Sequence, residues 1–205
     1  MLNMLLVVLI GYLLGSISTG VVLSNMLAKT DIRTQGSGNA GTTNMLRVLG
    51  RKAALLTFIG DMLKGIIAVF IGKAMIGGEL GGLLGVVGAV LGHYYPLYFG
   101  FKGGKGIATS FGSLLFVFPV QALLAFTVFL ILVGVTHYVS VGSVAAAIVL
   151  PLLVVFTRFS DPTLWIITSC IGVSVVWRHR ANIVRLMNHT ESKLDFSKLK
   201  GSKKS

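Results

Sequence analysis

Residues 99 to 109 read Phe99-Gly100-Phe101-Lys102-Gly103-Gly104-Lys105-Gly106-Ile107-Ala108-Thr109, a glycine-rich basic loop between two segments that are almost uncharged and apolar. Glycines let backbone N–H groups turn toward a bound anion with no Cβ in the way, and Lys102 and Lys105 add full positive charge beside them. The plainer alternative is a solvated turn whose lysines only follow the positive-inside bias. One loop alone does not choose between the two.

Two further stretches carry similar chemistry. Gly36-Ser37-Gly38-Asn39-Ala40-Gly41-Thr42-Thr43-Asn44 is followed by Arg47 and a helical pattern. Glycines with hydroxyl and amide side chains ahead of a helix N-terminus present several donors, and phosphate is their natural guest. The stretch is not a Walker sequence, since no Gly-Lys-Ser or Gly-Lys-Thr follows, and an irregular linker with an ordinary cap remains the alternative. The third stretch is Trp177-Arg178-His179-Arg180-Ala181-Asn182-Ile183-Val184-Arg185-Leu186, then Glu191 and Lys193. His179 and Asn182 face one pocket if the preceding helix continues through them. A satisfied interface histidine is the competing reading.

The elements that must position these loops are apolar. A hydrophobic fraction of 54%, a charged fraction of 12% and a mean hydropathy of +0.87 lie outside the soluble range, where about a quarter of residues are charged. The chain therefore reads as an all-α integral membrane protein. Its first apolar run lacks the basic start of a signal peptide and is too long for one, which makes it a transmembrane helix. The lone Cys170 excludes a disulfide framework and reads as a small buried hydrophobe. A net charge of +12 could suit nucleic acid, but the basic residues sit in short loops between spans, which favours anionic headgroups and phosphorylated substrates.

Apolar runs cover about 3–27, 53–72, 78–98, 107–136, 139–157 and 163–177. Six plain crossings would strand Arg178, Arg180 and Arg185 on the outer side. Pro119 offers a break in the 107–136 run, giving a short fourth helix near 105–118 that need not cross fully. The expectation is seven helices, some short or broken, with the N-terminus outside and the C-terminus cytoplasmic. All but Lys64, Lys73 and Arg158 of the eighteen Lys and Arg then lie inside. Residues 1–205 form a single polytopic domain on this reading, with 193–205 as a polybasic tail. The glycine pairs 78/82, 81/85 and 88/92 read as helix packing, and Asp61 and Lys64 share a helix face and can pair. All three chemically active stretches fall on one side of the membrane.

Taken together, Gly36 to Asn44, Gly92-His93 with Phe101 to Thr109, and His179 to Leu186 closely resemble the three motifs of the bacterial acyl-phosphate:glycerol-3-phosphate acyltransferases, the PlsY family. The resemblance covers nearly the whole chain and implies a seven-helix enzyme of phospholipid synthesis that makes lysophosphatidic acid. It implicates Ser37, Arg47, His179 and Asn182 in catalysis. It implicates Ser37, Gly38, Asn39, Gly41, Thr43 and Asn44 with Lys102, Gly103, Gly104, Lys105 and Gly106 in phosphate binding, and makes Glu191 a structural acid. The family commonly has a glycine shortly before that acid, where this chain reads Asn188-His189-Thr190. The implied partners are acyl phosphate, glycerol 3-phosphate, membrane lipids and the enzyme that produces the acyl phosphate. No nucleic acid, cofactor or metal is expected, and the implied location is the bacterial inner membrane with the site on its cytoplasmic face.

An acyl phosphate is a mixed anhydride with a good leaving group, so direct attack by the glycerol hydroxyl suffices. The protein must hold two mutually repelling phosphates, orient the hydroxyl and stabilise the oxyanion. His179 and the donor phosphate are both candidate bases. A different acyltransferase class uses His-x-x-x-x-Asp, and here Tyr98, Gly142, Val184 and Leu194 stand five residues after the four histidines. A phosphate-anion transporter is the competing class, with a non-enzymatic scaffold third. Transporters place their site near the midplane and show internal repeats, and this sequence has no evident repeat.

Overall fold

The first apolar run forms two helices instead of the one expected over 3–27. α1 (Leu2–Gly15) and α2 (Thr19–Ala28) are separated by a turn at Ser16–Ser18. A partner for the break lies on another helix. Lys64 donates from Nζ to the carbonyl oxygen of Ile17 at 2.8 Å, so that carbonyl has a partner outside its own helix. Irregular backbone at membrane depth is tolerated where protein supplies such partners.

The computed structural model of the chain describes residues 1–194, so most of the expected tail lies outside the described residues. α3 (Thr42–Ile76) begins well before the expected 53–72, running from the first loop through a kink at Gly50, whose φ is 81°. α4 (Gly78–Tyr94) follows, then a 3-10 turn at Leu97–Phe99, like the one at Ile32–Thr34 ahead of α3, and α5 (Ile107–Leu114). α5 is shorter than the expected 105–118. Its eight residues span about 12 Å, less than half of a hydrocarbon core. Pro119 opens α6 (Pro119–Thr136), as its missing amide permits at a first helical position. α7 (Val139–Thr157), α8 (Pro162–Arg178) and the short α9 (Arg180–Met187) complete the described helices.

The chain is an integral membrane protein. Five stretches, Leu2–Ala28, Thr42–Ile76, Gly78–Phe99, Pro119–Thr136 and Val139–Thr157, are long and apolar enough to cross, and Pro162–Arg178 is apolar but shorter. The glycine-rich α4 sits at the centre, where Gly85 leaves no room for a Cβ against Ala68 of α3, nor Gly88 against Val8 and Gly11 of α1. Dispersion between closely approaching backbones replaces the hydrophobic effect as the attraction in lipid. Cys170 is exposed, contrary to the buried position expected for it. The buried stripe of α8 follows Leu164, Thr168, Ile171 and Val175, and position 170 falls off that face.

The bundle has two chemically distinct ends. At one, Arg158 pairs with Glu79 at 2.8 Å, Lys73 donates to the Phe116 carbonyl at 2.7 Å, and Gln121 donates to Thr157 Oγ1 at 2.7 Å. At the other end lie the N-terminus of α3, the C-terminus of α4, the N-termini of α5 and α7, and the α8–α9 joint. All three loops singled out in the sequence meet there.

Candidate active site

The first loop is built around one buried side chain. Asn44 Oδ1 accepts from the Ser37 amide at 2.8 Å, while Nδ2 donates to the carbonyls of Ile32, Gln35 and Asn39 at 2.9 to 3.1 Å. Asn44 is therefore committed to shaping the loop, and phosphate binding through its amide group, as expected from sequence, is not what its bonds show. The Gly41 amide is likewise taken by Asn39 Oδ1 and the Gly38 amide by the Gln35 carbonyl. Thr42 and Thr43 open α3, where first-turn amides have no intrahelical partner by position.

The second loop is clamped from both sides by arginines. Arg33, paired with Asp31 at 2.7 Å, donates to the carbonyls of Phe99 and Lys102. Arg178 donates to the carbonyls of Gly103 and Gly104 at 3.3 and 2.8 Å and lies over the ring of Tyr94 at 5.2 Å. The Gly103 and Gly104 amides donate to the carbonyls of Tyr94 and His93 at 3.2 and 3.1 Å. These amides were expected to face an anion. They are instead spent on holding the loop against the end of α4. Glycine is needed at 104 because a Cβ there would overlap the His93 ring.

At the third stretch α8 ends before His179, so His179 and Asn182 flank a helix joint instead of sharing one continuous helix. Both are buried and both still face one cavity. His179 Nδ1 lies 2.8 Å from the Val175 carbonyl, which accepts only if Nδ1 carries the proton, leaving Nε2 as an acceptor. Asn182 Nδ2 donates to Glu191 Oε1 at 2.6 Å, Arg185 Nε to Oε2 at 2.7 Å and Ser140 Oγ to Oε1 at 2.9 Å. Glu191 thus ties α9 to α7.

These groups enclose a polar cavity of about 320 Å3. Of the residues expected in the site, Ser37, Asn39, Gly41, Thr43, Asn44, Arg47, Lys105, Gly106, His179, Asn182 and Glu191 line it. Gly38, Lys102, Gly103 and Gly104 do not, and Lys102 is exposed. Thr42, Asp61, His93 and Ser140 line it without having been placed in the site from sequence. Ser140 and Thr42 open helices at the loop end, which is the signal that could have marked them. Thr42 Oγ1 and Asn182 Oδ1 are buried and make no hydrogen bond among the described residues.

Burial pulls the Lys105 ammonium down to about 8, with Glu191 opposing the shift and Arg185, Arg47 and Arg178 reinforcing it. Burial likewise takes His179 down to about 4, against the Val175 hydrogen bond and with Lys105 adding to the fall. Burial pushes the Glu191 carboxyl up, but the bonds from Asn182, Arg185 and Ser140 outweigh it and leave the group below its ordinary value. At neutral pH the cavity therefore offers the neutral imidazole of His179 between cations, with the Glu191 carboxylate engaged by three donors.

Phe58, Ile107, Phe129 and Ser143 also line an apolar cavity that runs on between α5, α6, α7 and α8, past Leu114, Ala122, Leu150 and Ile171. The donor-rich chamber and an apolar cavity suited to a hydrocarbon chain thus lie side by side and share these four wall residues.

The family model for glycerol-3-phosphate acyltransferases matches residues 5–189. The chain is similar to proteins named glycerol-3-phosphate acyltransferase from Clostridioides difficile (strain 630), 44% identical over 93% of this chain and 95% of that one, and from Syntrophotalea carbinolica, 45% identical over 94% and 98%. Its fold is similar to the crystal structure of PlsY (YgiH), an integral membrane glycerol 3-phosphate acyltransferase, in the glycerol 3-phosphate form. That match has a TM-score of 0.87 and 38% identity, over 96% of this chain and 98% of that one. A second structure, the lysophosphatidic acid form, matches with a TM-score of 0.81 and 37% identity, over 96% and 97%.

Proposed function

We infer, from the fact that this chain belongs to the glycerol-3-phosphate acyltransferase family, that it moves a fatty acyl group from an acyl phosphate to the sn-1 hydroxyl of glycerol 3-phosphate, giving lysophosphatidic acid and inorganic phosphate. The observation that carries the reading is the cation-lined chamber lying beside the apolar cavity, with Phe58, Ile107, Phe129 and Ser143 in both walls. One compartment suits phosphates, the other an acyl chain, and the reacting carbonyl falls where they meet.

Arg47 and Lys105 offset the charge of the two phosphates, with the first-turn amides of α3, Ser37 and Asn39 completing the pocket. The glycerol hydroxyl attacks the acyl carbon, the C–O bond to phosphate breaks, and no enzyme-bound acyl group forms. His179 Nε2 accepts from the attacking hydroxyl, and the unpaired Asn182 Oδ1 is free to accept from the substrate's other hydroxyl and so fix its direction. An imidazole with a pKa of about 4 does not keep a proton at neutral pH. The proton ends on the departing phosphate, which would otherwise leave as a strongly basic trianion. His179 thus orients the hydroxyl and relays its proton, which joins the two candidate bases in one path.

The charge bias of the loops supports a reading in which this end of the bundle faces the cytoplasmic side of the inner membrane, with the N-terminus outside and seven membrane segments, α5 being a half-helix. The enzyme supplying acyl phosphate is then a candidate partner at that face. Purified protein in lipid nanodiscs, given palmitoyl phosphate and glycerol 3-phosphate, should release lysophosphatidic acid and phosphate in equal amounts. Absence of product with the proper stereoisomer, or equal rates with acyl-CoA as donor, would overturn the reading.

A further inference from the structure

A buried polar cluster inside the bundle reaches the cavity wall and is not used above. Lys64 Nζ lies 2.9 Å from Asp61 Oδ1 as an ion pair, donates to the Ile17 carbonyl at 2.8 Å and stands 3.0 Å from His93 Nδ1. Thr109 Oγ1 lies 3.2 Å from the same nitrogen. An ammonium has protons and no lone pair, so His93 Nδ1 can meet it only as an acceptor. The imidazole proton must then sit on Nε2.

That proton points away from the cluster. His93 is 6% exposed, lines the polar cavity, and its Nε2 lies against the backbone of Gly104, one residue before Lys105. No hydrogen bond to Nε2 is formed among the described residues, and Nδ1 stands 3.6 Å from Asp61 Oδ1, beyond hydrogen-bond reach, against 3.0 Å from Lys64 Nζ. Nε2 is not among the fully buried polar atoms that lack a partner, so in the cavity wall it stays open to an acceptor that a ligand brings.

We propose that His93 Nε2–H donates directly to a phosphoryl oxygen of a bound substrate, with Asp61, Lys64 and Thr109 serving as positioning residues that lock the ring in the donor tautomer. The proposal rests on the acyl-transfer reading for the identity of the anion, which is either the glycerol 3-phosphate phosphate or the phosphate of the acyl donor. It also gives Gly104 a role: the missing Cβ leaves Nε2 its path.

The test uses the full chain in nanodiscs. His93→Gln keeps an N–H near the Nε2 position and should hold KM for both substrates within about threefold, whereas His93→Ala should raise KM for one of them by roughly thirtyfold. A rise for glycerol 3-phosphate assigns the acceptor phosphate, and a rise for palmitoyl phosphate assigns the donor. Unchanged KM values in His93→Ala, or a His93→Gln protein as defective as His93→Ala, overturn the proposal while leaving the acyltransferase reading intact. Should His93→Ala fail to fold, 15N NMR of histidine-labelled wild-type protein decides without turnover. The His93 ring should be protonated at Nε2 before any ligand is added, and that resonance should move when glycerol 3-phosphate or palmitoyl phosphate is added. An Nδ1–H tautomer, or an Nε2 resonance that neither ligand moves, overturns it.

Discussion

Asn182 Nδ2 and Glu191 Oε1 lie 2.6 Å apart, so the carboxylate of the last described turn sets the direction of a side chain expected to work on substrate. Glu191→Gln keeps the shape but puts an amide where two donors converge. It should lower kcat by about 10- to 100-fold with a smaller change in thermal stability, since residues that orient a catalytic group act through geometry. Steady-state kinetics beside a detergent melting curve checks this. The folded carboxyl is lower than the unfolded one, so its contribution to stability is present above the unfolded value and fades as pH falls through the folded one.

Lys105 gives the alkaline side. With its ammonium at about 8, the free site loses this cation as pH rises past that value, and a bound phosphate raises it again. Substrate binding above pH 8 should therefore take up a proton, and KM should rise by up to tenfold per pH unit between about 8 and 9.5. Lys105→Arg, whose charge persists, should flatten that rise. Calorimetry in buffers of different ionisation enthalpy reads the proton directly. In the free protein the unfolded lysine holds its proton to higher pH, so the strain of burying this charge is greatest below 8 and eases above it.

Removing the His179 imidazole should cost kcat more than KM. His179→Ala is expected to lower turnover about 100- to 1,000-fold at saturating substrates, the usual range for a group that handles a proton. Because the ring is neutral down to about 4, wild-type kcat should show no inflection near 6.5. A pH–rate profile from 5 to 8 tests that point.

His189 adopts a φ of 55°, the left-handed region, in the turn just before Glu191. A non-glycine side chain there bears a steric penalty. His189→Gly should raise stability by about 1 kcal/mol and leave kcat unchanged, as read by thermal melts in one detergent.

Lys64→Met should destabilise the fold by about 3–5 kcal/mol, since it abandons a buried carboxylate and the Ile17 carbonyl together. Asp61→Asn on the same background should restore part of the loss. Chemical unfolding in mixed micelles measures both.

Much of this molecule could be read from its residues, and the failures share a physical cause. Periodicity and Pro119 located α6, α7 and α8 because each is long, apolar and ended by its own local signals. The break at Ser16–Ser18 was missed because Gly15 and Gly20 beside it read as ordinary small residues of a membrane helix and its partner, Lys64, lies far along the chain. The same distinction holds in the site. Arg47, Lys105, His179 and Asn182 were found because their types advertise chemistry, and the cavity gathers all four. Which glycine amides face an anion could not be read, since that depends on Arg33, Arg178, His93 and Tyr94 claiming the groups of Lys102 to Gly104. Asn44 shows the converse, a residue of the right type whose bonds are spent on its own loop.

The bond from Lys64 to Ile17 also has a consequence for the order of assembly. It joins residues 47 apart, so the N-terminal segment cannot hold its own break by this bond: the bend between α1 and α2 is fixed only once α3 is packed against them.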